Sequence, residues 1–106
     1  MLLDIYLNAL QCETEVDIMS LHETFKALSD PVRRDILGLL KNNKMSAGEI
    51  AAKFKLTNAT VSYHLKLLKR ADLIYETKVK NFVFYELSTT VFDDVLLWMK
   101  QFSKGD

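Results

Sequence analysis

Two helix starts set close together, at Ser46 and Thr57, constrain this 106-residue chain more than any other feature. Ser46 is a favourable N-cap, and Glu49 stands where its carboxylate can reach back to the cap, which makes a capping box. The interval before Thr57 has room for one two-turn helix, with Ile50, Ala51 and Phe54 on its inner face, and a tight turn at Lys55-Leu56. Thr57 then caps a longer helix running to about Arg70, with Val61, Leu65 and Leu68 on one side. Small Ala51 lets the first helix approach the second closely. Phe54 and Leu56 fill the crossing, and Val61 packs back into it. Helices joined in this way leave the far side of the second free to enter a DNA major groove.

After Arg70 the apolar period changes. Leu73 to Thr77 and Phe82 to Leu87 are rich in β-branched and aromatic residues and flank the polar Lys78-Val79-Lys80-Asn81, which predicts a β-hairpin. Upstream, Leu2, Leu3, Tyr6, Leu7 and Leu10 suggest a short amphipathic helix, followed by a polar break from Glu13 to Asp17. Leu21, Phe25 and Leu28 give a second helix capped by Ser20. Asp30-Pro31 starts a third, whose buried face is Ile36, Leu37, Leu39 and Leu40. Ser88 or Thr89 caps a last helix carrying Val91, Val95, Trp98 and Phe102, with Phe92, Leu96 and Met99 widening the stripe beyond what one side of a small domain buries. The expected order is α-α-α-α-α-β-β-α, a mainly α fold with a small β-hairpin: a winged helix-turn-helix. Residues 19–106 form the expected domain, and residues 1–18 an N-terminal extension of helical character.

Composition excludes several alternatives. With 49% apolar residues the chain is too hydrophobic for intrinsic disorder. Its longest apolar runs, such as Val95 to Met99, are five residues, far below the ~18 of a membrane span. The apolar Met1 to Leu10 stretch lacks a basic region and contains Asp4, so it is a poor secretory signal. A single cysteine, Cys12, rules out an internal disulfide and leaves the reducing cytoplasm as the simplest home. The formal net charge is zero, but residues 31–81 carry +7 and the two flanks together −7. The cations therefore coincide with the helix pair and the hairpin. With Val61 pointing inward, Ala59, Ser62, Tyr63, Lys66 and Arg70 point outward, and Asn58, Thr60 and Lys69 lie on the flanks. Short hydrogen-bonding side chains precede cations along that face, which suits base edges first and phosphates second. His64 lies about 60° from Val61, so a hydrogen-bonded place between helices and a DNA contact are both open to it.

Asp30-Pro31-Val32-Arg33-Arg34-Asp35-Ile36-Leu37, Ala47 to Leu56, and Thr60-Val61-Ser62-Tyr63-His64-Leu65-Lys66-Leu67-Leu68 resemble the ArsR/SmtB family of dimeric bacterial repressors. The resemblance spans about residues 20–103, and the last helix is similar to that of the metal-independent, sporulation-delay type of autorepressor. It implies a homodimer on a double-stranded operator, released by a signal that here is expected to be a protein partner. It would place Thr57, Asn58, Thr60, Ser62, Tyr63 and His64 at or beside DNA, with Lys78 and Lys80 on the wing, and Ser46, Ala59, Lys66 and Lys69 are expected to join them. Arg33 matches the family's arginine after the proline and is expected to support the reading head or touch phosphate. Dimerisation would fall to the first and last helices, through Leu3, Tyr6, Leu7, Leu21, Phe25, Val91, Phe92, Val95, Trp98, Met99 and Phe102.

Several positions depart from the family pattern. Ala47-Gly48-Glu49-Ile50-Ala51-Ala52 stands where metal sensors carry Cys-x-Cys, and Asp93 and Asp94 lack a companion histidine on the last helix. Neither offers thiolate or imidazole ligands, so no metal or other cofactor is expected. A site built from Cys12, His22 or carboxylates across a dimer is the alternative. Lys80-Asn81 replaces the usual Gly-Arg of the wing tip, and Asp72 the glycine before the hairpin. No catalytic arrangement is present: Ser62 and His64 diverge on one helix with no acid to orient the imidazole, and there is no Gly-rich phosphate loop. A rival of another kind is a winged-helix interaction module that no longer binds DNA. The basic outward face of residues 58–70 argues against it.

Overall fold

A computed structural model describes residues 21–104 of the chain. The expected first helix, Ser20 as a cap, Cys12, the extension 1–18, and Leu3, Tyr6 and Leu7 as interface residues lie outside the described residues.

The first described helix, α1, runs over 21–28. Its C-terminal carbonyls are taken up by side chains from the next turn and helix. Ser29 Oγ donates to the Lys26 carbonyl at 2.7 Å, and Arg34 Nη1 to the Leu28 carbonyl at 2.7 Å. Such groups satisfy acceptors that a helix end leaves open and place positive charge at its negative pole. Helix α2, Pro31–Leu40, starts as expected: Asp30 Oδ2 accepts from the Arg33 amide at 3.1 Å, and Pro31 occupies the first turn.

Helix α3, Ala47–Phe54, begins in the expected capping box. The Glu49 amide donates to Ser46 Oγ at 3.2 Å, and the Ser46 amide to Glu49 Oε1 at 3.0 Å. It ends at Lys55, whose left-handed φ of 55° reverses the chain while its amide and that of Leu56 both bond the Ala51 carbonyl. Helix α4, Asn58–Arg70, is capped by Thr57 Oγ1, which accepts from the Thr60 amide at 3.2 Å.

The hairpin follows as β1, Ile74–Val79, and β2, Phe82–Leu87, paired antiparallel from Ile74 opposite Leu87 to Val79 opposite Phe82. The connection is shorter than the polar run suggested. Lys78 and Val79 join the strand, leaving a two-residue turn at Lys80-Asn81. Lys80 takes the left-handed conformation there (φ 58°), and Asp72 takes it before the hairpin (φ 59°). Asp72 thus supplies the backbone shape for which glycine is the usual residue. A third pairing was not evident from the sequence. Met45 bridges to Tyr85, with N–O distances of 3.1 and 2.8 Å, and ties the start of α3 to the outer edge of the hairpin.

The last helix, α5, covers Thr90–Lys100 and stops short of Phe102, which lies in the turn beyond it. Thr89 precedes the helix with no side-chain capping bond, so the expected hydroxyl cap is absent. The core is built from Ala27, Ile36, Leu37, Leu40, Ile50, Ala51, Val61, Leu65, Leu68, Ala71, Leu73 and Ile74. It sits where α2, α3 and α4 meet the base of the hairpin. Ala51 and Val61 are both buried at the α3–α4 crossing, as their spacing predicts.

Candidate nucleic-acid interface

The capping at Thr57 and the burial of Val61, Leu65 and Leu68 determine which side of α4 faces outward. Asn58, Ala59, Thr60, Ser62, Tyr63, Lys66, Lys69 and Arg70 are all exposed. The helix N-terminus, with its partly unsatisfied amides, lies at the same end as the short polar side chains. Thr60 Oγ1 stands 2.9 Å from Thr57 Oγ1, so the two hydroxyls share a hydrogen bond at that end. Ser46 is half-buried and its hydroxyl is engaged in the capping box, so its work is to hold α3 in place.

His64 is different from its neighbours. It turns inward and is buried, away from the outer face on which the family pattern would place a DNA contact. The cause is Arg33, itself only 7% exposed. Arg33 Nε donates to the Ala27 carbonyl at 2.7 Å, Nη2 to the Lys26 carbonyl at 3.1 Å, and Nη1 lies 3.2 Å from His64 Nδ1. A guanidinium only donates, so His64 Nδ1 is the acceptor in this contact. Asp30 Oδ2 approaches the same Nδ1 at 4.0 Å. One buried fork therefore joins the end of α1, the start of α2 and the middle of α4. Arg33 supports the reading head rather than reaching phosphate.

Lys69 is exposed but engaged. Its Nζ donates to Glu76 Oε1 at 2.6 Å, across the junction of α4 and β1. The hydrogen bond from Lys69 holds the Glu76 carboxyl below the usual carboxylate range and raises the Lys69 ammonium above its ordinary value. Burial, with Glu76 close by, pushes the Tyr85 phenol up. Lys66, Arg70, Lys78 and Lys80 are exposed and outside any ion pair among the described residues.

On the far side of the molecule, Phe25 meets Trp98 with ring centroids 5.9 Å apart, and Trp98 meets Phe102 at 5.2 Å. Leu96, Leu97, Trp98, Met99 and Phe102 are exposed, with Leu97 72% accessible. Val91 and Phe92 are half-buried and pack on the core, so they anchor α5 more than they extend its apolar face. Leu21 and Val95, with Trp98, line a cleft of about 360 Å³ between α1 and α5. Among the described residues no group of three or more His, Cys, Asp or Glu side chains could hold a metal ion, and His22 is exposed. The stretch at the start of α3, where a thiolate pair would sit, offers only Glu49 as an ionisable group, and Glu49 is committed to the capping box.

A helix pair with an outward polar face, followed by a basic hairpin, defines a winged helix-turn-helix of the DNA-reading kind. The family profile described as a helix-turn-helix domain matches residues 28–76. The transcriptional repressor SdpR of Bacillus subtilis (strain 168) is 45% identical over 87 residues, covering 81% of this chain and 97% of the relative. Among solved structures, an ArsR-like transcriptional regulator from Rhodococcus sp. RHA1 superposes with a TM-score of 0.76 at 24% identity, covering 79% of this chain and 77% of that one. Reduced HlyU from Vibrio cholerae N16961 gives 0.65 at 28% identity, covering 88% and 98%. The chain belongs to the ArsR family of winged helix-turn-helix transcriptional regulators. This is a family of regulators of transcription, not of enzymes.

Proposed function

We propose that the protein is a homodimeric repressor that occupies a palindromic operator and blocks the promoter by steric exclusion. The observation that carries this reading is the outward face of α4, where exposed Ser62 and Tyr63 precede exposed Lys66 and Arg70 on a helix held rigidly by Arg33 and the core. Each α4 enters a major groove, with half-sites about one helical turn apart. Thr57, Asn58, Ala59 and Thr60 lie at the groove entrance, and Lys78 and Lys80 reach backbone from the wing. The dimer forms through α1, α5 and the turn after α5, whose exposed Phe25, Trp98, Met99 and Phe102 make a face that a lone domain leaves in water. No metal is required, and the releasing signal is a protein partner in the cytoplasm.

A duplex selected from a random pool by the full-length protein provides the test. Replacing Ser62 and Tyr63 by Ala should relax discrimination between the selected duplex and scrambled DNA by about tenfold or more. Lys66→Ala should instead weaken both duplexes alike and lower the salt slope by about one unit per protomer. Unchanged binding in both variants would refute this assignment of the reading face.

A further inference from the structure

The wing ends in an apolar tip. Val79 and Phe82 face each other across the last pair of the hairpin, immediately outside the Lys80-Asn81 turn, and Phe82 is 63% exposed. Phe84 follows on the same face, its ring 6.4 Å from that of Phe82, and Lys44 Nζ lies 5.3 Å from the Phe84 centroid. Lys78 and Lys80 flank the tip and are exposed. An aromatic side chain left in water at the end of a hairpin contributes nothing to this domain's core. Cations on either side give the tip a surface suited to phosphates.

We infer that Phe82 is an apolar wedge that enters the minor groove beside the half-site read by α4 and partly unstacks one base step there. The inference rests on the DNA-reading role of α4 and deepens it. Minor-groove proteins insert residues such as Phe between base steps and kink the duplex, while flanking cations hold the phosphates. The arrangement of Lys78, Lys80 and Phe82 supplies both parts. The wing then reads how easily a step deforms rather than the pattern of its base edges. Pyrimidine–purine steps, which unstack most readily, are the favoured target. With no charge of its own, Phe82 acts without releasing counterions, so its contribution is separable from that of the lysines.

The experiment uses the full-length protein and the selected duplex, labelled at its ends for energy transfer. Wild type should bend the duplex. Phe82→Ala should lose about tenfold in affinity and most of the bend, with an unchanged salt slope. Phe82→Leu, which keeps an apolar wedge, should recover much of both. Phe82 is exposed, so circular dichroism of the variants should match wild type. Equal affinity and bend in wild type and Phe82→Ala would overturn the wedge, while Lys66→Ala would still report the major-groove contact. A loss accompanied by a changed salt slope would also overturn it, because the effect would then be ionic. If wild type selected no duplex at all, the DNA reading would fall and the wedge with it.

Discussion

Arg33 shows how much of this fold depends on a single side chain. Its three nitrogens serve the Ala27 and Lys26 carbonyls and His64 Nδ1, and the contacts to Ala27 and His64 are buried. Removing it strands the buried Ala27 carbonyl and an imidazole acceptor, while the Lys26 carbonyl keeps the Ser29 hydroxyl. Arg33→Ala should lower unfolding free energy by about 3 kcal/mol in urea titrations. Arg33→Lys should recover little, because an ammonium cannot reproduce a planar fork that reaches three acceptors. Full stability in Arg33→Lys would show that charge alone, not the fork, holds the junction. The same geometry explains why His64 turns inward. A sequence places it on the border of the inner face, and only the nearby guanidinium decides which way the ring goes.

At the scale of elements, the decisive contact is the one between α4 and the wing. Lys69 and Glu76 join the end of the reading helix to β1 at 2.6 Å, although both remain partly exposed. Glu76 has a lowered pKa, so its stabilising contribution is complete above the ordinary carboxylate range and is lost as pH falls through the depressed value. The stability difference between wild type and Glu76→Gln should therefore narrow on acidification through that window. A difference that grew as pH fell would contradict the ion pair. The pair also occupies a cation on the proposed DNA-facing side. Glu76→Gln should tighten binding to the selected duplex and steepen its salt dependence, because Lys69 is then free to meet phosphate. Lys69→Ala should accordingly flatten the salt slope less than Lys66→Ala does.

At the scale of the whole molecule, the two ends of the charge distribution serve different surfaces. The +7 central block of residues 31–81 holds α2, α3, α4 and the tip of the wing, while α5 lies in the net-negative flank after it. The α1–α5 side displays aromatic and aliphatic residues that do not reach the core: no residue of α5 is fully buried. A second copy of the chain covers that side in the proposed dimer. Trp98→Glu should convert the dimer to monomers in sedimentation equilibrium, and operator affinity should fall with it because two half-sites are no longer read together. Dimers that persist in Trp98→Glu would move the interface elsewhere. The domain itself should keep its fold, since Trp98 is outside the core cluster.

Local chemistry made much of this structure legible in the sequence. Asp30, Ser46 and Thr57 cap their helices through short-range hydrogen bonds, and such bonds depend only on residues within one turn. The inner face of α4 follows from helical periodicity, and its exposed complement follows from the inner face. The hairpin follows from β-branched and aromatic runs, although its turn tightened because strand pairing extended through Lys78 and Val79. What the tertiary structure alone decided are contacts between residues distant in sequence. Those are the bridge from Met45 to Tyr85, the fork from Arg33 to His64, and the pairing of Lys69 with Glu76. The sequence by itself determined the helices, the hairpin and the outward face of α4, because each is settled by neighbours along the chain. Which polar groups on that face are free and which are committed was decided only when folding brought distant partners within hydrogen-bonding distance.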